Sequence, residues 1–461
     1  MDGNIKEALS RIVGPANVSD ALMDLVTYSY DFSDFCCRPQ GAVWPTTTEQ
    51  VAEIMRLAGR EGFPVIPRGA GTGATGMVVP VAGGIVLDLV RMNRILKIAV
   101  EDRLAIVEPG VVHGDLQKAL EPYGFFFPPD PASGKVATLG GNVATNAGGL
   151  KGAKYGTTRD YVLALQVVLP SGETMRVGSN CMKSVSGYDL TRLFVGSEGT
   201  LGVITEMTLK ISPKPVVTST ALASFERLTH AGSAVGEIMR SGIIPSVCEL
   251  LDRHIVDYLI DRAGLMIPRA GAMILVETDG YTEAEAHSQM ERVIEVFEQN
   301  HAIEVRRAAS QVEVEGLWKA RKSMGGVIGR IRPNFLVEDV TVPISKMTDL
   351  LEGIEGISMR YGVEIVNFGH AGDGNLHPHL LYDGSNPKET KRVEEATAEL
   401  FELACGLGGT LTGEHGIGLS KAPYMGLEHD PVAMAVMRSL KHLFDPHNIL
   451  NPGKMGLENG A

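Results

Sequence analysis

Two glycine-rich runs hold the residues of this chain best suited to chemistry: Gly369-His370-Ala371-Gly372-Asp373-Gly374-Asn375-Leu376-His377 and Gly413-Glu414-His415-Gly416-Ile417-Gly418. Together they offer three imidazoles and a carboxylate. That is the ligand set a borderline divalent metal prefers, with one histidine to spare for proton transfer. The step from His370 to His377 is not the i, i+4 spacing of a metal-binding helix. Gly372, Gly374 and Pro378 also oppose a helix, so both histidines are expected at a strand end and its loop. A lone histidine is more often a surface or capping residue. Here four of twelve, His370, His377, His379 and His415, cluster beside Glu414, which favours a metal or catalytic site.

The elements that must position these residues fall into two characters. At 461 residues the chain should hold two or three domains, and 44% hydrophobic with 21% charged residues describes a globular protein with a large core. Residues 46–49 open a helix in which Val51, Ile54, Met55 and Ala58 recur at helical spacing, closed by residues 59–62. Strands are expected at 63–67, 85–89, 95–98, 105–107, 162–169 and 174–177, with a hairpin turn at Ser171-Gly172 and a helix at 112–123. Near residue 215 the glycine loops give way to amphipathic helices such as 225–240 and 282–299, alternating with single strands such as 272–277. That rhythm predicts helices on an antiparallel sheet. The domains are therefore expected at 1–215 (core from about residue 38), 216–440, and a C-terminal segment 441–461 that packs back on the first.

Composition excludes several functions. Lys plus Arg is 42 against 55 for Asp plus Glu, a net charge of −13, which opposes nucleic-acid binding. The five cysteines form no CxxC pair, so neither an iron–sulfur cluster nor a structural zinc is encoded, and reduced thiols in the cytoplasm are expected. Neither a signal peptide nor a transmembrane run is read in the sequence; a partner could still dock the chain at the inner face of a membrane.

The 54 glycines exceed the usual share of about 7% and collect in loops, which suggests backbone closely approached by a ligand. Gly71-Thr72-Gly73-Ala74-Thr75-Gly76 fits the G-x-G-x-x-G pattern, yet Met77-Val78-Val79-Pro80 is poor helix sequence, so a Rossmann site is rejected in favour of a nest of backbone N–H groups for phosphate. The stiff 128–131 stretch and the small residues 139–149 form a second loop, expected to lie close to a flat polar ring, and 196–204 a third. Several dispersed glycine loops in one domain imply one long cofactor lying across them, and a dinucleotide such as FAD has that length.

Through these runs, together with Pro67-Arg68-Gly69-Ala70-Gly71-Thr72-Gly73 and Asn451-Pro452-Gly453-Lys454, the chain resembles the FAD-linked oxidases of the vanillyl-alcohol oxidase/PCMH superfamily, in its glycolate oxidase GlcD-type and D-lactate dehydrogenase branch. The resemblance covers nearly the whole chain in order. It implies an α+β fold: a PCMH-type FAD-binding domain of two α+β subdomains, and a cap domain with an antiparallel sheet covered by helices. Arg68, Gly69, Ala70, Gly71, Thr72, Gly73 and Gly76 would hold the pyrophosphate. Pro129, Asp130, Gly140, Gly141, Asn142, Thr145, Asn146, Gly148, Gly149 and Tyr155 would line the flavin and ribityl chain. Glu198, Gly199 and Ile204 would lie near the adenosine half, with Asn451 also on the cofactor. His370, His377 and Glu414 match the divalent-metal ligands of the branch, with zinc first and manganese or iron(II) as alternatives. His415 matches its catalytic base, Asn375 would touch substrate, and Arg321, in Trp318-Lys319-Ala320-Arg321, would take the substrate carboxylate.

Two departures refine the expectation. No histidine lies in residues 69–76, so FAD is expected to be non-covalent. Relatives acting on D-2-hydroxyglutarate carry a lysine shortly before the strand matching Val340-Thr341-Val342-Pro343; Phe335-Leu336-Val337-Glu338-Asp339 has no cation, which favours a small monocarboxylate. The expected reaction is oxidation of D-lactate or glycolate to the 2-oxo acid, with electrons passing to an iron–sulfur subunit, electron-transfer flavoprotein, cytochrome or quinone. Competing readings are an alkylglycerone-phosphate synthase-like or D-2-hydroxyglutarate dehydrogenase-like enzyme, or a non-catalytic FAD electron-transfer subunit. A homodimer is compatible with all of them.

Overall fold

Thr47 opens the helix Thr48–Glu61 by accepting a hydrogen bond from the Gln50 amide, and Gly62, at φ 71°, closes it in the left-handed conformation. Its buried face is Val51, Ala52, Ile54, Met55, Leu57 and Ala58. This helix is the crossover between the strands Gly41–Val43 and Val65–Arg68, both parallel to Ile85–Asp88 in a four-stranded sheet that Val18–Ser19 completes antiparallel. Arg68 ends its strand, so the glycine run that follows leaves from the carboxyl edge of the sheet, where open α/β sheets bind ligands. The computed structural model describes residues 1–458, without the side chains of Ala320 and Lys322; residues 459–461 of the expected C-terminal segment lie outside the described residues.

The chain divides into two units. The first comprises Met1–Gly148, Gly156–Lys214 and the chain from Glu414 onward; the second comprises Pro215–Gly413 with the short stretch Gly149–Tyr155. The return to the first unit thus comes at Glu414, not at residue 441 where the amphipathic pattern fades. Long-range backbone bonds decide this: Leu419 N donates to Thr75 O at 2.7 Å, and Met455 N to Gly418 O at 2.9 Å.

A second sheet of the first unit is antiparallel throughout, in the order Ile95–Ala99, Leu104–Val107, Val203–Lys210, Val162–Val168, Thr174–Gly178. The hairpin at Ser171-Gly172 forms as its sequence predicts, with Gly172 at φ 79°. Two local expectations are corrected. The helix expected over 112–123 is α-helical only at His113–Leu120; Pro122, which has no N–H to continue the ladder, sits in a single 3-10 turn, Glu121–Tyr123. The 139–149 stretch is not all loop: Thr138 caps a helix Leu139–Thr145, and burial of Leu139, Asn142 and Val143 offsets the poor propensity of Gly140 and Gly141.

The second unit is one antiparallel sheet, in the order Ala302–Arg307, Val217–Phe225, Ala272–Gly280, Val247–Asp252, Glu364–His370, Asn375–Tyr382, Asn334–Val337, with Val340–Thr341 also paired to Asn375–Tyr382. The helix expected over 225–240 is shorter, Leu228–Arg240, because Phe225 still belongs to the strand before it. On one face of the sheet, Ile255 and Val256 of the helix Arg253–Asp261 and Met324 and Ile328 of Gln311–Ile328 join Leu251, Val366 and Phe368 in a core. Among the described residues no helix is long and apolar enough to cross a membrane.

Gly374 closes the turn between the strands Glu364–His370 and Asn375–Tyr382 at φ 84°, and a Cβ there would lie 2.1 Å from the Val342 carbonyl oxygen. Gly374→Ala should therefore lower stability by roughly 1–3 kcal/mol, read from the urea midpoint, through a left-handed φ and a clash with backbone that cannot swing away.

Candidate active site

His370 is the last residue of its strand, as expected, but His377 lies inside the next strand, not in a loop. The two strands form a tight hairpin in which His370 pairs with Asn375 and Phe368 with His377. Directly paired residues point to the same face, and so do residues two apart. The neighbouring strand adds Glu249 opposite His370 and Leu251 opposite Phe368. One face therefore carries the row Glu249, His370, Asn375, and beside it the row Leu251, Phe368, His377.

These polar groups are buried and engaged. His370 Nδ1 donates to Glu249 Oε1 at 2.5 Å, and Arg321 Nε donates to Glu249 Oε2. The His370 and His377 rings stand 5.0 Å apart, nearly perpendicular at 84°. The Arg321 guanidinium lies over the Phe368 ring, 5.1 Å from its centroid. Burial alone would push the Glu249 carboxyl up, but the Arg321 guanidinium and the His370 ring outweigh it and hold it down to about 2. Glu249 is thus a charge with no exposed surface, stabilised by two donors. The fourth clustered histidine, His379, is a packing residue: its ring stacks on Phe368 at 4.5 Å and Nδ1 donates to the His377 carbonyl at 2.7 Å.

Arg321 sits on the helix Gln311–Ile328, and Trp318, one turn earlier, hydrogen-bonds Glu277. Burial holds the Glu277 carboxyl above its ordinary range, with Lys151 and Ser246 acting against it. Tyr155 and Gly149 group with this unit, and the Tyr155 hydroxyl donates to Asp279 Oδ2 at 2.6 Å. Asp339 receives the Gly413 amide at 2.7 Å and the Thr412 hydroxyl at 3.1 Å. A Cβ on Gly413 would fall 2.6 Å from the Asn375 amide, so only glycine lets this backbone reach the hairpin. The Asn375 side-chain oxygen is buried with no hydrogen-bond partner among the described residues.

The first unit holds a cleft lined by the ends of the glycine runs: Arg68, Gly69, Gly140, Gly141, Thr145, Glu198, Gly199 and Ile204 of the expected cofactor residues, together with Pro67, Pro109, Thr138 and Ser197 among others. Residues 69–76 contain no helix, in keeping with the rejected Rossmann reading. Ala70, Gly71, Thr72, Gly73 and Gly76 lie on the same run beyond the lining. Pro129 and Asp130 also lie outside it; the Pro129 carbonyl accepts His113 Nε2 at 2.7 Å. Arg68 curls back, donating through both terminal nitrogens to the Tyr30 carbonyl at 3.1 Å. Asn146 holds a turn, its side-chain oxygen accepting the Arg159 amide at 2.8 Å. Gly148 faces Glu414, where a Cβ would lie 3.2 Å from Oε2.

Glu198 ties these segments together. Its carboxylate accepts the amides of Ile417 at 2.6 Å and Gly418 at 2.8 Å, while Asn451 Nδ2 holds the Glu198 carbonyl at 2.7 Å and the Met77 carbonyl at 3.0 Å. Glu198 and Asn451 thus act here on backbone, and through it on the run that bears Glu414 and His415. Burial pushes the Glu198 carboxyl up to about 7, against the two amides and the nearby Lys454 and Lys421.

Residues 39–178 match the FAD binding domain, and residues 214–455 match the FAD linked oxidases, C-terminal domain. The chain belongs to the FAD-linked oxidases. It is 42% identical to the glycolate oxidase subunit GlcD of Bacillus subtilis (strain 168), over 98% of this chain and 96% of that protein. It is 36% identical to a D-lactate dehydrogenase of Anaerostipes hadrus, over 91% of this chain and 90% of that one. Its fold is that of p-cresol methylhydroxylase, with a TM-score of 0.82 at 21% identity over 99% and 98% of the two chains. The α+β, PCMH-type architecture expected from the sequence is borne out.

The residues of this oxidase suit its cofactor. Among the cleft-lining segments, Asn142 presents a buried side-chain amide nitrogen with no partner in the described protein, a donor awaiting an acceptor. The glycines on the walls leave backbone open to a close-lying ligand. Sequence reasoning missed Glu249, Glu277 and Asp339. A signal was present for Glu249: a lone acid within the apolar strand Val247-Cys248-Glu249-Leu250-Leu251 must be paired if buried.

Glu198→Ala should leave two buried amides without an acceptor, at about 1–3 kcal/mol each, and speed hydrogen exchange at Ile417 and Gly418. A pH series adds a sign. The native carboxyl keeps its proton up to about 7 while the unfolded one releases it near 4.5. Between those values the native state binds more protons, so wild-type stability, measured against Glu198→Gln, should fall as pH rises through that window.

Proposed function

We propose that this enzyme oxidises a small D-2-hydroxy acid, D-lactate or glycolate, to the 2-oxo acid and passes the electrons to a separate acceptor. The observation that carries the reading is the buried sheet face on which a guanidinium and an imidazole converge on one carboxylate, with a second imidazole beside the first. The family relationship to proteins named glycolate oxidase subunit and D-lactate dehydrogenase supports it.

Arg321 binds the substrate carboxylate through its terminal amino groups, a planar fork that a lysine cannot reproduce. Asn375 offers its buried amide to the substrate. The strand Asn334–Val337 and the two residues after it bring no cation, and Asp339 is committed to Thr412 and Gly413, which favours a monocarboxylate over a dicarboxylate. His415 accepts the hydroxyl proton, the general-base role an imidazole most often takes. FAD, held non-covalently, supplies a two-electron acceptor for the α-hydrogen.

His370, His377 and Glu414 would hold a divalent metal, zinc first by its donor set, whose chemistry is to lower the pKa of the substrate hydroxyl. The donor chemistry fits: His370 is backed by a carboxylate on Nδ1, the usual support of a metal-binding histidine. Glu414 follows Gly413 by one peptide bond, and Gly413 is itself fixed on Asp339. A GlcD-like subunit implies further subunits, and the electron acceptor is an iron–sulfur subunit, electron-transfer flavoprotein, cytochrome or quinone.

An anaerobic screen of glycolate, D- and L-lactate, D-malate and D-2-hydroxyglutarate, following flavin absorbance, should show bleaching by D-lactate or glycolate; absorbance unchanged by every acid would refute the reading. His415→Ala should lose turnover by at least about a hundredfold, the usual scale of a general base, while its flavin spectrum stays that of the parent protein. Dialysis against a chelator should abolish turnover, with recovery on adding Zn²⁺ or Mn²⁺, measured by dye reduction.

A further inference from the structure

Glu249 touches neither substrate nor metal in the chemistry assigned so far and enters it only as the carboxylate behind His370, yet it is fully buried and its two oxygens serve two different side chains. Oε1 receives Nδ1–H of His370 and Oε2 receives Nε–H of Arg321. We propose that Glu249 is a positioning residue that couples the metal-ligating histidine to the carboxylate-binding arginine, so that the two are set by one side chain. This rests on the function proposed above.

The argument is geometric. With a carboxylate on Nδ1, His370 is fixed in the tautomer whose Nε2 carries the lone pair a metal needs, and its ring plane is set as well. Arg321 already lies over Phe368, a contact that does not set which edge of the guanidinium faces which partner. The hydrogen bond from Nε to Glu249 turns that edge to the acid and leaves the recognition of a carboxylate to the two terminal amino groups. Strand register makes the arrangement unique: Glu249 pairs with His370 across the sheet, while Glu277, on the strand Ala272–Gly280, pairs with Val247, one row away. A glutamine in this place keeps the shape but has no charge and only one accepting oxygen, so it turns an N–H toward one partner and holds the other by a weaker, neutral hydrogen bond.

A buried acid that only stabilised the fold would change the melting temperature and little else. A residue serving one partner would change metal affinity or substrate KM, not both. Glu249→Gln, made in the full FAD-loaded chain, is expected to weaken Zn²⁺ binding, measured by competition with a chromophoric chelator, by about 10–100-fold. It should also raise the KM for the hydroxy acid by at least tenfold at unchanged flavin content. Glu249→Asp, which keeps both accepting oxygens on a shorter arm, should recover part of each loss. Zn²⁺ affinity and KM both within twofold of the parent would overturn the proposal, as would a change in only one of them. Crystal structures of parent and Glu249→Gln read the placement directly: the His370 ring or the Arg321 guanidinium should leave its position, and unmoved side chains overturn the proposal whether or not any acid is oxidised. Should the parent bind no Zn²⁺ and oxidise no hydroxy acid, the functional reading fails, while the crystallographic comparison still decides the role of Glu249. If Glu249→Gln does not fold, Glu249→Asp takes its place in each measurement, with parent-like values overturning the proposal.

Discussion

A buried carboxylate must meet donors or be neutralised, and on the large sheet of this protein that constraint organises the candidate site. Glu249 lies in the middle of an apolar strand with no access to water. It remains ionised because Arg321 and His370 converge on it from a helix and from the neighbouring strand. The same contacts that make the charge tolerable also fix the orientation of the groups best suited to hold a hydroxy acid and a metal. Breaking one partner would leave an uncompensated charge at a cost of about 3–5 kcal/mol, so the arrangement is stiff as well as specific.

A parallel solution appears in the first unit. Glu198 is also a buried acid, but its partners are the Ile417 and Gly418 amides, and its carboxyl is pushed up toward neutrality. Neutral-backbone donors stabilise a buried carboxylate less than a guanidinium does, and the opposite pKa directions of the two glutamates follow from that difference. Glu198 fastens the run carrying Glu414 and His415 to the body that holds the glycine loops. One acid thus orders side chains and the other orders backbone.

The sequence made a great deal legible. The family and its FAD domain were legible as a resemblance, while the glycine runs, the amphipathic helices and the candidate residues His370, His377, Glu414 and His415 were readable from local spacing and residue type. Local rules failed where tertiary packing overrode propensity. Gly140 and Gly141 sit in a helix because burial of Leu139 and Val143 outweighs their cost. His377 sits in a strand because its neighbours pair across the hairpin. The chain returns to the first unit at Glu414 because of hydrogen bonds to Thr75, some 340 residues away in sequence, and no periodicity announces them.

By itself the sequence determined which groups are available for chemistry, since residue types and short-range spacing bring imidazoles, a carboxylate and glycine runs together and set the α+β rhythm. Only the tertiary structure decided which acids hold those groups in place. Glu249, Glu198 and Asp339 act through cross-strand register and contacts between distant segments, and a hydrogen bond closed by folding leaves no mark on the spacing of the residues it joins.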